Sequence, residues 1–151
     1  MPGRLVGIYT ASEAGAPMDA HDGVRAVAGV GLEGDRYATK TGEFSDKEGG
    51  GRQVTLIARE AIAAANEQVT LGEGETRRNL VTEGVDLDAL IGKQFTVGDV
   101  VLVGVRDCPP CSYLQEITRP GVLLALRGAG GLRADIVRDG TLRVGDPIST
   151  V

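Results

Sequence analysis

Tryptophan is absent, and the 151 residues hold only three tyrosines and two phenylalanines. So few rings leave no stacking platform for single-stranded nucleic acid. Positive charge is not in surplus: 16 Lys and Arg stand against 21 Asp and Glu, a net charge of -5. A nucleic-acid footprint needs a basic surplus, which excludes that partner class. Histidine occurs once, as His21 in a polar stretch, where it is expected to be solvated. One such histidine builds neither a Ser/His/Asp relay nor, with two cysteines, a four-ligand zinc site. Gly-x-Gly-x-x-Gly before a helix, a P-loop and His-Glu-x-x-His are all missing, removing the dehydrogenase, kinase and zinc-hydrolase classes. Apolar runs stay short of membrane length, and the first residues lack a signal-peptide core. No membrane partner is expected, and the expected compartment is the cytoplasm. Two cysteines alone make no secreted disulfide framework, and a reducing compartment keeps them as thiols.

Glycine, by contrast, is plentiful at 23 residues, with six prolines, which predicts tight turns and short strands. Arg4 to Thr10 and Gln53 to Ile57 are expected as strands. Val24 to Val30 alternates as a strand, with Val24, Ala26, Ala28 and Val30 on one face. After Gly31–Tyr37 the chain turns polar and Gly-rich up to Gly51, and that long stretch is expected to be a mobile loop of the kind that is often functional. Ala58 to Glu67 has helix formers, with Ile57, Ala61, Ile62 and Ala65 at helical spacing. Phe95–Val97 and Val100–Val105 flank Gly98-Asp99, a hairpin turn pair. Val85–Ile91, Tyr113–Ile117 and Gly121–Arg127 offer short helical turns. Leu132–Asp139, Gly140 and Thr141–Val144 form the pattern of another hairpin, before a last strand after Pro147. The expected fold is β-rich α+β: a closed or nearly closed β-barrel with a few short helices, one domain over residues 1–151.

The chemistry concentrates at Cys108-Pro109-Pro110-Cys111, between an apolar strand and a short helix. A thiol at such a turn faces backbone N–H groups, which favours the thiolate: a nucleophile, a sulfur carrier and a soft-metal ligand. The bland alternative is a buried small apolar residue. As a pair, Cys108 and Cys111 also admit a dithiol oxidoreductase, although the surrounding short strands do not make a βαβ unit. Asp107 is expected to be structural, because a carboxylate there works against a thiolate. Arg77 and Arg78 with Asn79 form a second candidate site, since guanidinium forks and an amide suit phosphate or carboxylate. Adjacent strand residues face opposite sides, so one of the two arginines is expected to point outward. Gly34, Asp35 and Arg36 form a third: a tight turn, with Asp35 placed to orient Arg36 or Arg52 and Arg36 placed to meet the same anion.

Taken in order, Gly31-Leu32-Glu33-Gly34-Asp35-Arg36, Gln53–Ile57, Arg77–Leu87, Gly92–Asp99, Cys108-Pro109-Pro110-Cys111 and Val144-Gly145-Asp146-Pro147 resemble the MOSC domain family. That family is named for the C-terminal domain of molybdenum cofactor sulfurase. The resemblance implies a pyruvate-kinase-barrel-like fold and a cysteine that handles sulfur or a metal–sulfur centre. In relatives such as the amidoxime-reducing component, that cysteine ligates molybdenum of a pterin cofactor; by position it corresponds to Cys111, with Cys108 as a neighbour. Arg77, Arg78 and Asn79 would then grip the cofactor's phosphate, joined by Gly34, Asp35 and Arg36. The implied activity is reduction of N-hydroxylated compounds, with electrons from a partner reductase. The alternative is a non-enzymatic sulfur carrier, with a Cys111 persulfide supplied by a cysteine desulfurase. The relatives' extra N-terminal barrel domain is expected to be lacking here, which favours the carrier.

Overall fold

The structure, a computed structural model, describes residues 3–40 and 50–150. In chain order the strands are β1 (Gly3–Thr10), β2 (Asp19–His21), β3 (Gly23–Val27), β4 (Gly31–Leu32), β5 (Val54–Ala58), β6 (Leu80–Glu83), β7 (Gln94–Val97), β8 (Val100–Asp107), β9 (Leu132–Arg138), β10 (Gly140–Arg143) and β11 (Pro147–Thr150). The helices are α1 (Arg59–Ala65), α2 (Ser112–Ile117) and α3 (Val122–Ala125).

Seven strands close into a mixed barrel in the order β1-β6-β5-β9-β8-β7-β11, with β11 returning to pair with β1. Among the described strands only β5 and β6 pair in parallel. The closed barrel expected from the sequence is therefore present, and closure removes the open edges that an unpaired sheet would expose. Alternation sets the layers. Leu56 of β5 and Leu80 of β6 point inward with Leu5, Phe95, Leu102 and Leu132. Their chain neighbours Ile57 and Val81 point outward, and both are fully buried beneath Ile62 of α1, Leu114 and Val122. Burial on both faces is the usual condition of a parallel pair. The three helices thus cover one side of the barrel wall.

A second sheet, β10-β3-β4, delivers Val24, Ala26, Leu32 and Leu142 to the same barrel core. This sheet corrects two expectations. The strand at Val24 stops at Val27, and Ala28–Val30 turn back toward β4, leaving Val30 45% exposed. Moreover, β9 and β10 do not make a hairpin: β10 pairs antiparallel with β3, Leu142 opposite Val24. Gly140 follows Asp139, whose Oδ1 accepts the N–H of Ala28 at 2.5 Å, so the chain leaves the barrel for the second sheet there. The short strands β2 and β4 were not anticipated. His21 is not simply solvated; its Nε2 lies 2.7 Å from Thr10 Oγ1 across β1 and β2. The helix anticipated over Ala58–Glu67 is shorter, and the side-chain amide of Asn66 closes it by bonding Ile62 O and Leu71 O. Of the long loop expected between Tyr37 and Gly51, residues 41–49 lie outside the described residues. No described helix is long and apolar enough to cross a membrane.

The backbone just before β9 packs directly against β5. A Cβ on Gly131 would meet Leu56 O at 2.0 Å, and its φ of +117° lies in the left-handed region. Gly128 also has positive φ but faces open space. Gly131→Ala is expected to cost about 3 kcal/mol or more, against about 1 kcal/mol for Gly128→Ala. Urea denaturation of the two variants checks this; equal losses would mean that strand proximity is irrelevant.

Candidate functional site: a cysteine loop beside an arginine-lined cavity

The cysteine loop leaves the barrel through a β-bulge. On β8, Gly104 opposes Ala134 of β9, but the next pair is Arg106 with Arg133, so Val105 is the extra residue. Bulges re-aim side chains at sheet ends. Here the bulge brings two arginines opposite one another on the outer face of the barrel. Beyond Asp107 the N–H of Cys108 donates to Gly131 O at 2.8 Å. Cys108 is buried and Cys111, which enters α2, is half-buried against the helical layer. Asp107 is exposed.

Both cysteines border a cavity of about 290 Å³. Six arginines border it too: Arg36, Arg52, Arg77, Arg78, Arg106 and Arg133; the described lining contains no acidic side chain. Tyr37 and Tyr113 complete its sides.

The sequence-predicted residues divide sharply by what their side chains do. Arg78, 7% exposed, is engaged with the backbone: Nε donates to Gly130 O at 2.8 Å, Nη2 to Cys108 O at 2.9 Å and Pro109 O at 3.2 Å, and Nη1 to Thr76 O at 3.2 Å. It holds the cysteine loop in place. Asn79 does not reach the cavity. Its Oδ1 accepts from Thr55 N–H and Thr55 Oγ1, and its Nδ2 donates to Tyr9 O, so it ties β5 to β1. Neither arginine stands in a strand, since β6 begins only at Leu80, and both line the cavity; the expected outward-pointing partner is not found.

Arg77 instead adopts a left-handed backbone, φ +60°, an uncommon state for a residue with a side chain. Its Nη1 donates to Ala16 O at 2.6 Å. Its buried Nη2 has no hydrogen-bond partner among the described residues. Burial, and then the charge of Arg36, hold its pKa below the ordinary arginine value. The third candidate group serves as its support. Asp35, fully buried, accepts from Arg36 Nη1 at 3.0 Å and from the N–H groups of Ala11 and Tyr37. Of the two arginines it was expected to orient, Arg36 is thus the one it pairs with. Arg36 then donates to Arg77 O at 3.1 Å and lies over the Tyr37 ring, 4.8 Å from its centroid. Gly34 supplies the left-handed turn before them and does not line the cavity.

Sequence reasoning missed Arg106 and Arg133 and gave Arg52 only a supporting part. The usable signal was that each arginine lies near a strand end: Arg106 two residues before Cys108, Arg133 second in β9, Arg52 two residues before β5. Burial, then Arg133 and Arg106, lower the pKa of Arg52, which places the three within electrostatic reach of each other.

The MOSC domain profile matches residues 34–149, more than half of the chain. The chain belongs to the MOSC domain family. Its structure superposes on that of the YuaD protein from Bacillus subtilis with a TM-score of 0.80 at 18% identity, covering 99% of this chain and 96% of that one. YiiM from Geobacillus stearothermophilus gives 0.76 at 16% identity, with 99% and 75% coverage. YiiM from Escherichia coli gives 0.70 at 18% identity, with 100% and 70% coverage. At these identities the likenesses speak for the fold. No curated protein matches the chain.

In this MOSC chain the clamp at Arg78 has a direct test. Arg78→Ala strips donors from carbonyls of the buried cysteine loop and is expected to cost about 2–4 kcal/mol of stability. In the native protein a thiol reagent is expected to label Cys111 fast and Cys108 slowly; in folded Arg78→Ala, both fast. Mass-resolved labelling checks this, and unchanged protection of Cys108 would dismiss the clamp.

Proposed function

We propose that the cavity takes a phosphate-bearing molybdenum–pterin cofactor, with the Cys111 thiolate as the chain's sulfur ligand to the metal. One observation carries the reading: a half-buried thiol and a guanidinium with an unpartnered buried nitrogen, Arg77 Nη2, border one cavity. The donor chemistry suits the group, since soft thiolate matches a sulfur-rich metal centre and a guanidinium fork matches phosphate. When bound, the cofactor supplies electron transfer at its metal.

The rest is the work of the chain. Arg77 neutralises the anionic end and satisfies its orphaned donor in doing so. Arg36, fixed by Asp35, keeps the strained Arg77 backbone in position. Arg78 fixes the carbonyls of Cys108 and Pro109, and with them the approach to Cys111. Only the thiolate ligates metal, so Cys111 gives up its proton on binding. By analogy with the family, the activity is reduction of N-hydroxylated compounds, with electrons from a separate reductase. A persulfide carrier loaded by a cysteine desulfurase uses the same thiol but leaves the orphaned Arg77 nitrogen without a purpose.

The test is elemental analysis, pterin fluorescence and native mass spectrometry of protein purified without oxygen from a host that makes the cofactor. Molybdenum and pterin are expected together in the native protein. Cys111→Ser is expected to lower molybdenum content by about tenfold or more, and Arg77→Gln to lower pterin content similarly. Cys108→Ser should keep most of both. Native protein that is bare, or heavier by one sulfur atom on Cys111, would overturn the cofactor reading.

A further inference from the structure

Arg77 also touches a segment that the cofactor reading leaves without a part. Residues 11–18 join β1 to β2, and the ends of this loop are held close together. Thr10 faces Asp19 across the strand pair, and Thr10 Oγ1 lies 2.7 Å from His21 Nε2. Compact surface loops with adjoining ends are often functional. The base of the loop is fixed by the residues that support Arg77. The N–H of Ala11 donates to Asp35 Oδ1 at 3.1 Å, Ala11 O accepts the N–H of Arg36 at 2.6 Å, and Arg36 Nη1 lies 3.6 Å from Met18 Sδ. The tip is different. Ser12, Glu13, Gly15 and Pro17 are exposed, and Gly15 takes a left-handed φ of +78°. An exposed tip on a pinned base opens at little cost, because few buried apolar contacts are lost.

The tip meets the cavity at Arg77. Ala16 O accepts from Arg77 Nη1 at 2.6 Å, and Ala14 stands on the cavity's edge. Behind the tip lies a second cavity of about 410 Å³, bordered by Gly15, Pro17, Glu75 and Thr118, and Arg77 borders it as well. The loop therefore stands between two cavities, with room to move on its far side. The Arg77 guanidinium is only half satisfied: Nη1 is bound to the loop, and Nη2 is buried without a partner among the described residues. A buried orphan donor is costly, and opening the tip lets water relieve it. An anion on Nη2 removes that penalty from the closed form, whereas the open form has none to remove. The ligand therefore favours closure.

We propose that Ser12–Pro17 is a strap that closes over the anion held by Arg77. In the closed form the bond to Ala16 O fixes the plane of the fork and leaves Nη2 for the anion. The anion in turn holds the guanidinium where Ala16 O meets it. Anion binding and strap closure thus favour each other by the same factor. This deepens the cofactor reading by naming what governs access to the anionic end of the ligand, and it rests on Arg77 being an anion ligand. Gly15 separates the two roles, because it borders the second cavity and not the arginine-lined one. A Cβ on Gly15 would meet only Tyr113 Oη, at 3.4 Å, but would strain the left-handed backbone. Gly15→Ala therefore disturbs the strap without removing a contact to the ligand.

Hydrogen exchange of the full chain, read by mass spectrometry with and without inorganic phosphate, tests the strap beside a calorimetric titration of phosphate. Phosphate is expected to slow exchange across Ala11–Met18 by about tenfold. Without phosphate, Arg77→Gln is expected to speed it by about threefold or more, while Leu5–Ile8 of β1 stays protected. In the titration, Gly15→Ala is expected to weaken phosphate binding by about threefold to tenfold. Gly29→Ala, at a φ of +76° in the turn before β4, is expected to leave it within about twofold. Should Gly15→Ala fail to fold, exchange in the native chain decides alone. Phosphate bound with no added protection of Ala11–Met18, or native affinity in folded Gly15→Ala, would overturn the strap and spare the anion role of Arg77. No phosphate binding, or native affinity in Arg77→Gln, would remove that role and the strap together. Molybdenum and pterin contents, measured separately, judge the metal.

Discussion

The Arg78 guanidinium is buried with no carboxylate partner among the described residues, and four backbone carbonyls do the work of a counter-ion. A charge removed from water is costly unless its donors are fully engaged, so these carbonyls are bound to it as firmly as it is to them. They come from three distant segments: Thr76 before β6, Cys108 and Pro109 after β8, and Gly130 before β9. One side chain therefore fixes where the cysteine loop runs relative to the barrel. Lysine cannot replace it, since a point charge on a flexible stem does not span three segments with a rigid fork. The close approach of Gly130 to Cys108 O, where a Cβ would come within 2.4 Å, is the other half of that junction.

Once the loop is fixed, the two cysteines differ in kind. Cys108 is held by its own N–H to Gly131 and by Arg78 at its carbonyl, and is 2% exposed. Cys111 stands beyond two prolines at the entry to α2 and retains partial exposure. A dithiol oxidoreductase would also tolerate one exposed and one buried thiol. It has no use, however, for a wall of guanidinium groups. Six guanidinium groups line the cavity, with the thiols at its edge, and a reading that uses only the thiols leaves most of the lining unexplained.

How much of this was legible in the sequence depends on how far apart the interacting residues lie. The β7–β8 hairpin, β1, β5 and α1 could be found because their signals are local: Gly98-Asp99 between alternating strands, and apolar residues at helical spacing. The second sheet was hidden because β10 finds its partner in β3, more than a hundred residues earlier, and an Asp-Gly turn beside β9 imitates a hairpin. Arg78 and Asn79 were recognisable as important polar residues, but not by role. Arg78 binds carbonyls 30 and 52 residues away, and Asn79 bridges Thr55 and Tyr9, 24 and 70 residues away. Nothing within a short window distinguishes a guanidinium that grips a ligand from one that grips the backbone.

The same distance effect explains why several of the cavity-lining arginines escaped notice in the sequence. A consecutive pair, Arg77 and Arg78, attracts notice because it is adjacent in sequence, yet adjacency matters little when one member turns to the backbone. Arg52, Arg106 and Arg133 are isolated in sequence and become neighbours only because β5, β9 and β8 are consecutive strands of the barrel. The single extra residue at Val105 then decides the outcome. Without it Arg133 would oppose a valine, Arg106 would fall on the opposite face, and the wall would lose its concentration of charge. The site thus depends on register more than on composition: in a chain whose net charge is negative, strand pairing concentrates guanidinium groups at the cavity beside the cysteines.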